Sequence, residues 1–105
     1  MDELRKIDLN LLLALHALLS EKHVTRAALR LHRSQPAVSH ALAQFRKHFD
    51  DPLLVRQGGG MVLTARALSL AQPLQDALSN LDSLLATPLF DPARAQRRFR
   101  LSLSD

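Results

Sequence analysis

Residues 24–43 read VTRAALRLHRSQPAVSHALA, and this stretch decides the fold. Its first third consists of good helix formers, with Thr25 expected as their N-cap, and the chain then pauses at His32. Ser34 can cap a second helix, whose first turn tolerates Pro36 because amides there have no intrahelical acceptor to lose. Two short helices joined by a turn of about three residues are typical of a helix-turn-helix. His32 stands where such a turn favours Gly, a position of positive φ that His adopts more readily than most residues.

The second helix is predicted to have one buried and one polar face. Apolar residues recur at spacings of four, three and four, at Val38, Leu42, Phe45 and Phe49. The opposite face carries Gln35, Ser39, His40, Ala43, Arg46 and Lys47. This second face is polar, basic and free of carboxylates, which suits contact with an anionic partner.

The charge is concentrated around this motif. The chain has 105 residues, 14 Lys+Arg and 10 Asp+Glu, yet no acidic residue occurs between Lys22 and Phe49. Six basic side chains lie in that window, so the remainder of the chain is net acidic by two. Such a segment favours nucleic acid as the partner, and a solvated basic helix face is the alternative.

The preceding segment, residues 8–20, reads DLNLLLALHALLS. Asp8 can cap a helix that is apolar on nearly every side, and such a helix must be buried on more than one face. In so short a chain a second copy is the simplest cover for the outer face, so we expect a homodimer that uses Leu11. His16 is expected to be a core or interface residue.

The segment that follows the motif predicts a wing over residues 53–64. Three consecutive glycines, Gly58 to Gly60, separate two short apolar runs, which is the pattern of a hairpin tip. A two-stranded ribbon is not stable alone and must pack on the helices. Arg56 would meet a phosphate or the minor groove, or else be a solvated charge on an edge strand.

Residues 65–87 predict a long linker helix capped by Thr64. A heptad seam runs through it at Ala67, Ala71, Leu74, Leu78, Leu81 and Leu85. We expect this seam to pair two subunits, and an ordinary helix packed on its own domain is the alternative. Residues 88–105 then carry two prolines, a basic cluster and an alternation of apolar residues, which indicates a hinge and one β-strand. That strand either pairs between subunits or opens a second domain, and we favour the second domain.

Composition excludes several classes of function. Without Cys there is no disulfide scaffold and no thiolate chemistry, and without Trp or Tyr the stacking platforms of single-strand binders are missing. No apolar run reaches the roughly 18 residues of a bilayer span, and no signal peptide is recognisable. The five histidines have no suitable partners for a metal or catalytic site. We therefore expect a cytoplasmic, nucleoid-associated protein that is not an enzyme and holds no metal or cofactor in this chain.

The sequence resembles the N-terminal part of a LysR-type transcriptional regulator. The residues that carry the resemblance are DLNLLLALHALL, VTRAALRLHRSQPAVSHAL, DPLLVRQGGGMVLTARA and FRLSLSD, which span essentially the whole chain. Within that family, SHAL and FRLSLSD are similar to the branch that contains nodulation regulators and regulators of aromatic-compound degradation. The resemblance implies a mainly α winged helix-turn-helix of three helices and a two-stranded wing over residues 1–64. A dimerising linker helix follows, and then an effector-binding domain that stops here after its first strand.

The resemblance also implies roles for individual residues. Those expected at base edges are Gln35, Pro36, Ser39 and His40, with Ser34 and Thr25 near phosphates and Arg56 on the wing. The basic segment adds Arg26, Arg33 and Lys47 to the DNA-contacting set. Relatives commonly have Arg where His40 stands and Glu where Arg46 stands, which bears on the preferred bases. The full-length relative would bind a small effector and recruit RNA polymerase.

The chemistry of these side chains suits the roles independently. Gln35 offers a donor and an acceptor to adenine, Pro36 can touch a thymine methyl, and Ser39 is short enough for close approach. His40 can donate to guanine or phosphate, which predicts weaker binding as the pH rises above about 7. Two other readings stay open: a basic helical adaptor for another partner, and a nucleoid-type binder without sequence preference.

Overall fold

The computed structural model describes residues 2–86 of the 105-residue chain. The elements in chain order are α1 (Asp2–Lys6), α2 (Leu9–Glu21), α3 (Val24–Leu31), α4 (Gln35–Phe49), β1 (Leu54–Gln57), β2 (Gly60–Leu63) and α5 (Ala65–Ala86). This order confirms the prediction of a mainly helical winged helix-turn-helix followed by a long helix. The hinge and strand expected over residues 88–105 lie outside the described residues.

Polar side chains at three predicted positions cap helices. The pairs are Asp8 Oδ1 with the amide of Leu11 (2.9 Å), Ser34 Oγ with that of Ala37 (3.2 Å) and Thr64 Oγ1 with that of Ala67 (3.1 Å). Each oxygen accepts one of the amide hydrogens that a helix start leaves without an intrahelical partner, a contribution of about 1 kcal/mol. The starts of α2, α4 and α5 are therefore fixed locally.

The start of α3 corrects the expectation for Thr25. The helix begins at Val24, and the N-cap is His23, whose Nδ1 accepts from the amide of Arg26 at 3.2 Å. The prediction of Thr25 as an N-cap is therefore wrong, because this residue lies inside the first turn. An unprotonated imidazole nitrogen accepts a hydrogen bond as a hydroxyl does, although His is not among the favoured capping residues.

The short helix α1 was not expected from the sequence. Its carboxylates pair with basic side chains three residues on, Asp2 with Arg5 at 3.8 Å and Glu3 with Lys6 at 3.7 Å. Both pairs are exposed, and such pairs contribute little to stability. Glu3 also lies 3.3 Å from Nε2 of His48, at the end of α4.

The core lies where α2, α3 and α4 meet. Its largest fully buried side chains are Phe45, Leu18, Leu53, Leu54 and Val38. The predicted stripe on α4 is confirmed, with Val38, Leu42 and Phe45 buried and Phe49 half-buried. The small side chains of Ala27 and Ala28, both buried, allow the helices of the motif to approach closely.

The turn between α3 and α4 has the expected geometry. His32 ends α3 with φ of 56°, in the left-handed region. Its amide donates to Leu29 O at 3.2 Å, and that of Arg33 donates to Ala28 O at 3.0 Å. These bonds pair the last carbonyls of α3, so the turn is closed without Gly.

The wing is an antiparallel ribbon of β1 and β2. The register runs from Leu54 opposite Leu63 to Gln57 opposite Gly60. Gly58 and Gly59 form the two-residue turn at φ of 60° and 81°, both in the region that a tight hairpin turn requires. Leu54 belongs to the core, which ties the ribbon to the helices.

Helix α5 is continuous through Pro73. Ala67 is fully buried, and Leu70, Ala71 and Leu74 pack against the core cluster. The early part of the predicted seam thus packs on the core of the chain's own domain. The chain divides into two compact units after Gln75, and residues 76–86 are the described part of the second unit.

Candidate nucleic-acid interface

The start of α4 presents the residues expected at base edges. All of them are exposed: Gln35, Pro36, Ser39 and His40. They lie within the first two turns of the helix, directly after the Ser34 cap. No acidic residue occurs in α4. The start of α4 therefore offers amide, hydroxyl and imidazole groups together with the apolar ring of a proline, and α4 itself carries no carboxylate that would repel a polyanion.

Thr25 and Gln35 are joined across the helix-turn-helix. Nε2 of Gln35 donates to Oγ1 of Thr25 at 2.6 Å. A carboxamide has two N–H groups and one oxygen, so this bond still leaves a donor and the acceptor for a base edge. Thr25 therefore supports the side chain at the head of α4, a role that sequence reasoning missed because the two residues are on different helices.

A shallow hollow of about 240 Å³ lies between the start of α2 and α4. Its lining includes Asp8, Asn10, Arg33 and His40. The hollow places one carboxylate at the edge of the basic surface, and that carboxylate already accepts from the amide of Leu11. Sequence reasoning treated Asp8 only as a cap, and only the fold places it in the same hollow as His40.

The basic side chains of the segment have different surroundings. Arg26, Arg33 and Lys47 are exposed. Nη1 of Arg30 instead lies 3.3 Å from Oε2 of Glu21, an acid just before the segment. The uniform basic surface suggested by the sequence is therefore partly neutralised at Arg30.

Arg56 is exposed on β1, opposite Met61 and one residue pair from the end of the ribbon. This is the position expected of a wing arginine. Arg56 lies two residues, or about 7 Å, along the ribbon from the core residue Leu54.

Arg46 lies on α4, but its guanidinium is directed at the base of the wing. Nε donates to the carbonyl of Pro52 at 2.7 Å, and Nη2 donates to that of Leu54 at 3.0 Å. Hydrogen bonds from a charged donor are among the stronger ones in proteins. The fork thus joins the end of α4 to the start of β1.

Asp51 completes the same junction. Its Oδ2 accepts from Oγ1 of Thr64 at 2.6 Å and from the amide of Leu53 at 2.8 Å. These two hydrogen bonds, that from Thr64 above all, hold the pKa of the Asp51 carboxyl below its ordinary value. Leu53 has a φ of 64° with its side chain fully buried, so this loop is held in a strained conformation.

The six predicted dimerisation residues fall into two groups. Leu11, Ala71 and Leu74 are half-buried against the core cluster. Leu78 is half-buried, while Leu81 and Leu85 are 40% and 75% exposed. Leu84, outside the predicted seam, is 69% exposed. On α2 the exposed leucines are Leu9 and Leu13 rather than Leu11.

The remaining candidates for other chemistry are few. Nε2 of His16 lies 2.6 Å from Oε1 of Gln75. Among residues 2–86, no group of three or more His, Asp or Glu side chains is placed to hold a metal ion. Within the same residues, no helix is long and apolar enough to cross a membrane.

Comparison with known proteins gives the family. The family described as "Bacterial regulatory helix-turn-helix protein, lysR family" matches this chain over residues 9–68. That range contains α2, the helix-turn-helix, the wing and the start of α5. The chain belongs to the LysR family. Its relatives include Nodulation protein D 2 of Bradyrhizobium diazoefficiens, 49% identical over 100 residues that cover 94% of this chain and 30% of that protein. Nodulation protein D 1 of Neorhizobium galegae is 47% identical over 102 residues, 96% of this chain and 33% of that protein.

Solved structures of LysR-type proteins have the same fold. The probable transcriptional regulator PA0477 from Pseudomonas aeruginosa is 41% identical with a TM-score of 0.74, over 86% of this chain and 31% of that one. The BenM DNA-binding domain in complex with benA site 1 DNA is 25% identical with a TM-score of 0.69, over 76% of this chain and 93% of that one. The LysR-type chain described here spans about a third of the length of the curated relatives it matches.

Proposed function

We propose that this chain is the DNA-binding part of a transcriptional regulator and reads double-stranded DNA by placing the start of α4 in the major groove. The observation that carries the proposal is the exposed, carboxylate-free head of α4, where uncharged polar groups precede basic ones. A helix fits the major groove, and base edges there are distinguished by hydrogen bonds rather than by charge. The similar BenM DNA-binding domain, solved with benA site 1 DNA, supports the proposal.

Base contacts are assigned to the first two turns of α4. Gln35, held by Thr25, presents its remaining N–H and its oxygen to adenine, and Pro36 touches a thymine methyl. Ser39 allows close approach of the helix, and His40 donates to guanine or phosphate. The hollow that His40 shares with Asp8 and Arg33 gives it one acidic and one basic neighbour.

Phosphate contacts are assigned to the flanks of the motif. Arg26, Arg33 and Lys47 supply charge, and the start of α4 at Ser34 supplies backbone amides of positive polarity. Arg56 reaches the backbone or the minor groove from the wing. Thr25 contributes through Gln35 rather than as a helix cap.

The binding species is proposed to be a homodimer on an interrupted palindrome. Exposed leucines of α2 and of residues 76–86 in α5 are the apolar side chains that a second copy would cover: Leu9, Leu13, Leu81, Leu84 and Leu85. Two copies related by a twofold axis would place two α4 helices in successive major grooves. Half-sites would then be about one helical turn, or a multiple of it, apart.

The longer protein is proposed to respond to a small effector and act through RNA polymerase. The relatives are about three times as long as this chain, which leaves room for a further domain. We place the protein on the bacterial nucleoid. DNA bending by the longer protein, measured with and without candidate effectors, tests this part of the proposal.

Selection of the 105-residue chain on a random double-stranded DNA pool tests the main proposal. An enriched inverted repeat is the expected result. The Gln35→Ala variant should lose preference at one position of each arm, while the Lys47→Ala variant should bind all sequences more weakly and equally. If DNA is retained but no sequence is enriched, the chain is an electrostatic binder and the proposed recognition of base sequence is wrong. Binding whose affinity does not depend on salt concentration would instead indicate an adaptor for another partner.

A further inference from the structure

Arg46 is set apart from the other basic residues of α4 by what it contacts. Its side chain leaves a helix whose exposed face is proposed to meet DNA, yet two of its N–H groups donate to backbone carbonyls. The distances are 2.7 Å from Nε to Pro52 O and 3.0 Å from Nη2 to Leu54 O. The guanidinium is therefore already engaged by the chain itself.

The two carbonyls flank a residue in a strained backbone conformation. Leu53, between them, has a φ of 64° and a fully buried side chain. Its amide donates to Asp51, and its carbonyl accepts from the amide of Thr64 at 3.0 Å. A non-glycine residue in the left-handed region persists only where its surroundings hold it there. Arg46 holds it from the side of α4.

This junction determines where the wing leaves the core. β1 begins at Leu54, whose carbonyl Arg46 binds, and Arg56 follows two residues later on the same strand. The pairing of Leu54 with Leu63 and of Arg56 with Met61 makes the ribbon one unit over this length. A shift at the Leu54 carbonyl would therefore move Arg56 with it.

We propose that Arg46 is a positioning residue, which sets Arg56 of the wing against the DNA that α4 reads and makes no phosphate contact of its own. The inference rests on the proposed function. It differs from the simplest interpretation of a basic residue on this helix, which is a direct contact with the DNA backbone. The two possibilities predict a different salt dependence of DNA binding when both arginines are replaced.

A double-mutant cycle on the selected duplex tests the proposal. Arg46→Met removes every donor and retains most of the stem, while Arg56→Gln removes the charge of the wing. Counted per bound subunit, here and for the other variants, each single variant should make the fall of log affinity with log salt less steep by about one, and should weaken binding about fivefold. The double variant should behave like either single one, because both remove the same contact. Slopes that fall by about two in the double variant would overturn the proposal.

Two further variants separate charge from geometry. Arg46→Lys keeps the charge but cannot donate to both carbonyls through a planar fork, so the slope should stay lowered by about one. A slope restored to the wild-type value would mean a phosphate contact at Arg46. Lys47→Met, the neighbouring exposed cation, is the matched control and should be additive with Arg56→Gln.

Amide hydrogen exchange of the free chain keeps the test independent of DNA. In Arg46→Met, the amides of β1 and β2 should exchange at least about tenfold faster, while those of α2 and α4 stay protected. Unchanged exchange in the wing would contradict the proposal even if DNA binding fell. If the wild-type chain fails to bind DNA, the proposed function fails with it, whereas DNA binding with additive variants overturns only the role of Arg46.

Discussion

Single side chains decide how the start of α4, the end proposed to read bases, is presented. The hydrogen bond between Gln35 and Thr25 fixes one half of the carboxamide, and the other half faces outward as a donor and acceptor pair. A free glutamine would lose rotamer entropy on meeting a base edge. In the proposed complex Thr25 removes part of that cost before DNA is bound, so it should affect discrimination between bases more than overall affinity.

The Thr25→Val variant should reduce discrimination at one base pair of each half-site by about fivefold. Valine matches the shape of threonine but cannot accept from Gln35, so the carboxamide is no longer oriented. Binding to a set of duplexes with single substitutions measures the effect. Thr25→Ser, which keeps the hydroxyl, is the control and should retain discrimination. Equal losses on every duplex would indicate a phosphate contact at Thr25 instead.

Asp51 should make stability depend on acidity. Hydrogen bonds from Thr64 and Leu53 lower the pKa of its carboxyl in the folded chain, so the ionised form stabilises the fold. That stabilisation is complete above the ordinary carboxyl pKa of about 4 and is lost as the pH falls through the lower folded value. Asp51→Asn should be less stable at pH 7 and lose less stability on acidification. Urea unfolding between pH 7 and pH 2.5 checks this, with Asp50→Asn as the neighbouring control.

Local chemistry was predictable wherever one residue acts on its own helix. Asp8, Ser34 and Thr64 were expected as caps because their oxygens meet amides three residues on, a relation contained in the sequence. His23 was missed because an imidazole cap depends on its rotamer and protonation. The bond from Gln35 to Thr25 was missed because it joins two helices.

At the scale of elements, the wing depends on its turn and on its base. The hairpin was predictable because three glycines between apolar runs admit few other structures. Its base was not, since no local sequence signal marks the strained Leu53, its acceptor Asp51, or the bonds that Arg46 donates to the carbonyls on either side of Leu53. For α5 the period was visible, but nothing in it distinguished a seam between subunits from packing on the chain's own core.

Two glycines of the wing, Gly59 and Gly60, should respond differently to alanine. Gly59 has a φ of 81° and Gly60 has no such strain, while a Cβ at either would meet nothing within 4 Å. Gly59→Ala should therefore cost about 1 kcal/mol through backbone strain alone. Gly60→Ala should be neutral or slightly stabilising, because it restricts the unfolded chain. Thermal unfolding of both variants measures the difference, and equal losses would mean that a side chain is excluded sterically.

At the scale of the whole molecule, the exposed leucines are the basis for the proposed homodimer. In residues 76–86 of α5, Leu81, Leu84 and Leu85 are 40%, 69% and 75% exposed. Single exposed leucines are common on soluble proteins, but three within five residues of one helix form a surface that another copy can cover. A palindromic site and a twofold dimer imply each other, so oligomeric state and DNA preference should change together.

Replacing Leu81 and Leu85 with lysine should convert the chain to a monomer that binds one half-site. Burying two cations in an apolar interface is unfavourable, and loss of the second α4 removes half of the base contacts. Sedimentation measures the oligomeric state. Titration of duplexes with one or two arms measures the gain in affinity that the second arm provides, and this gain should fall at least about 100-fold in the variant. The Leu68→Lys variant, which also replaces an exposed leucine of α5, is the control, and this variant should remain a dimer. A variant that stays dimeric would place the interface elsewhere, with the exposed leucines of α2 as the next surface to alter.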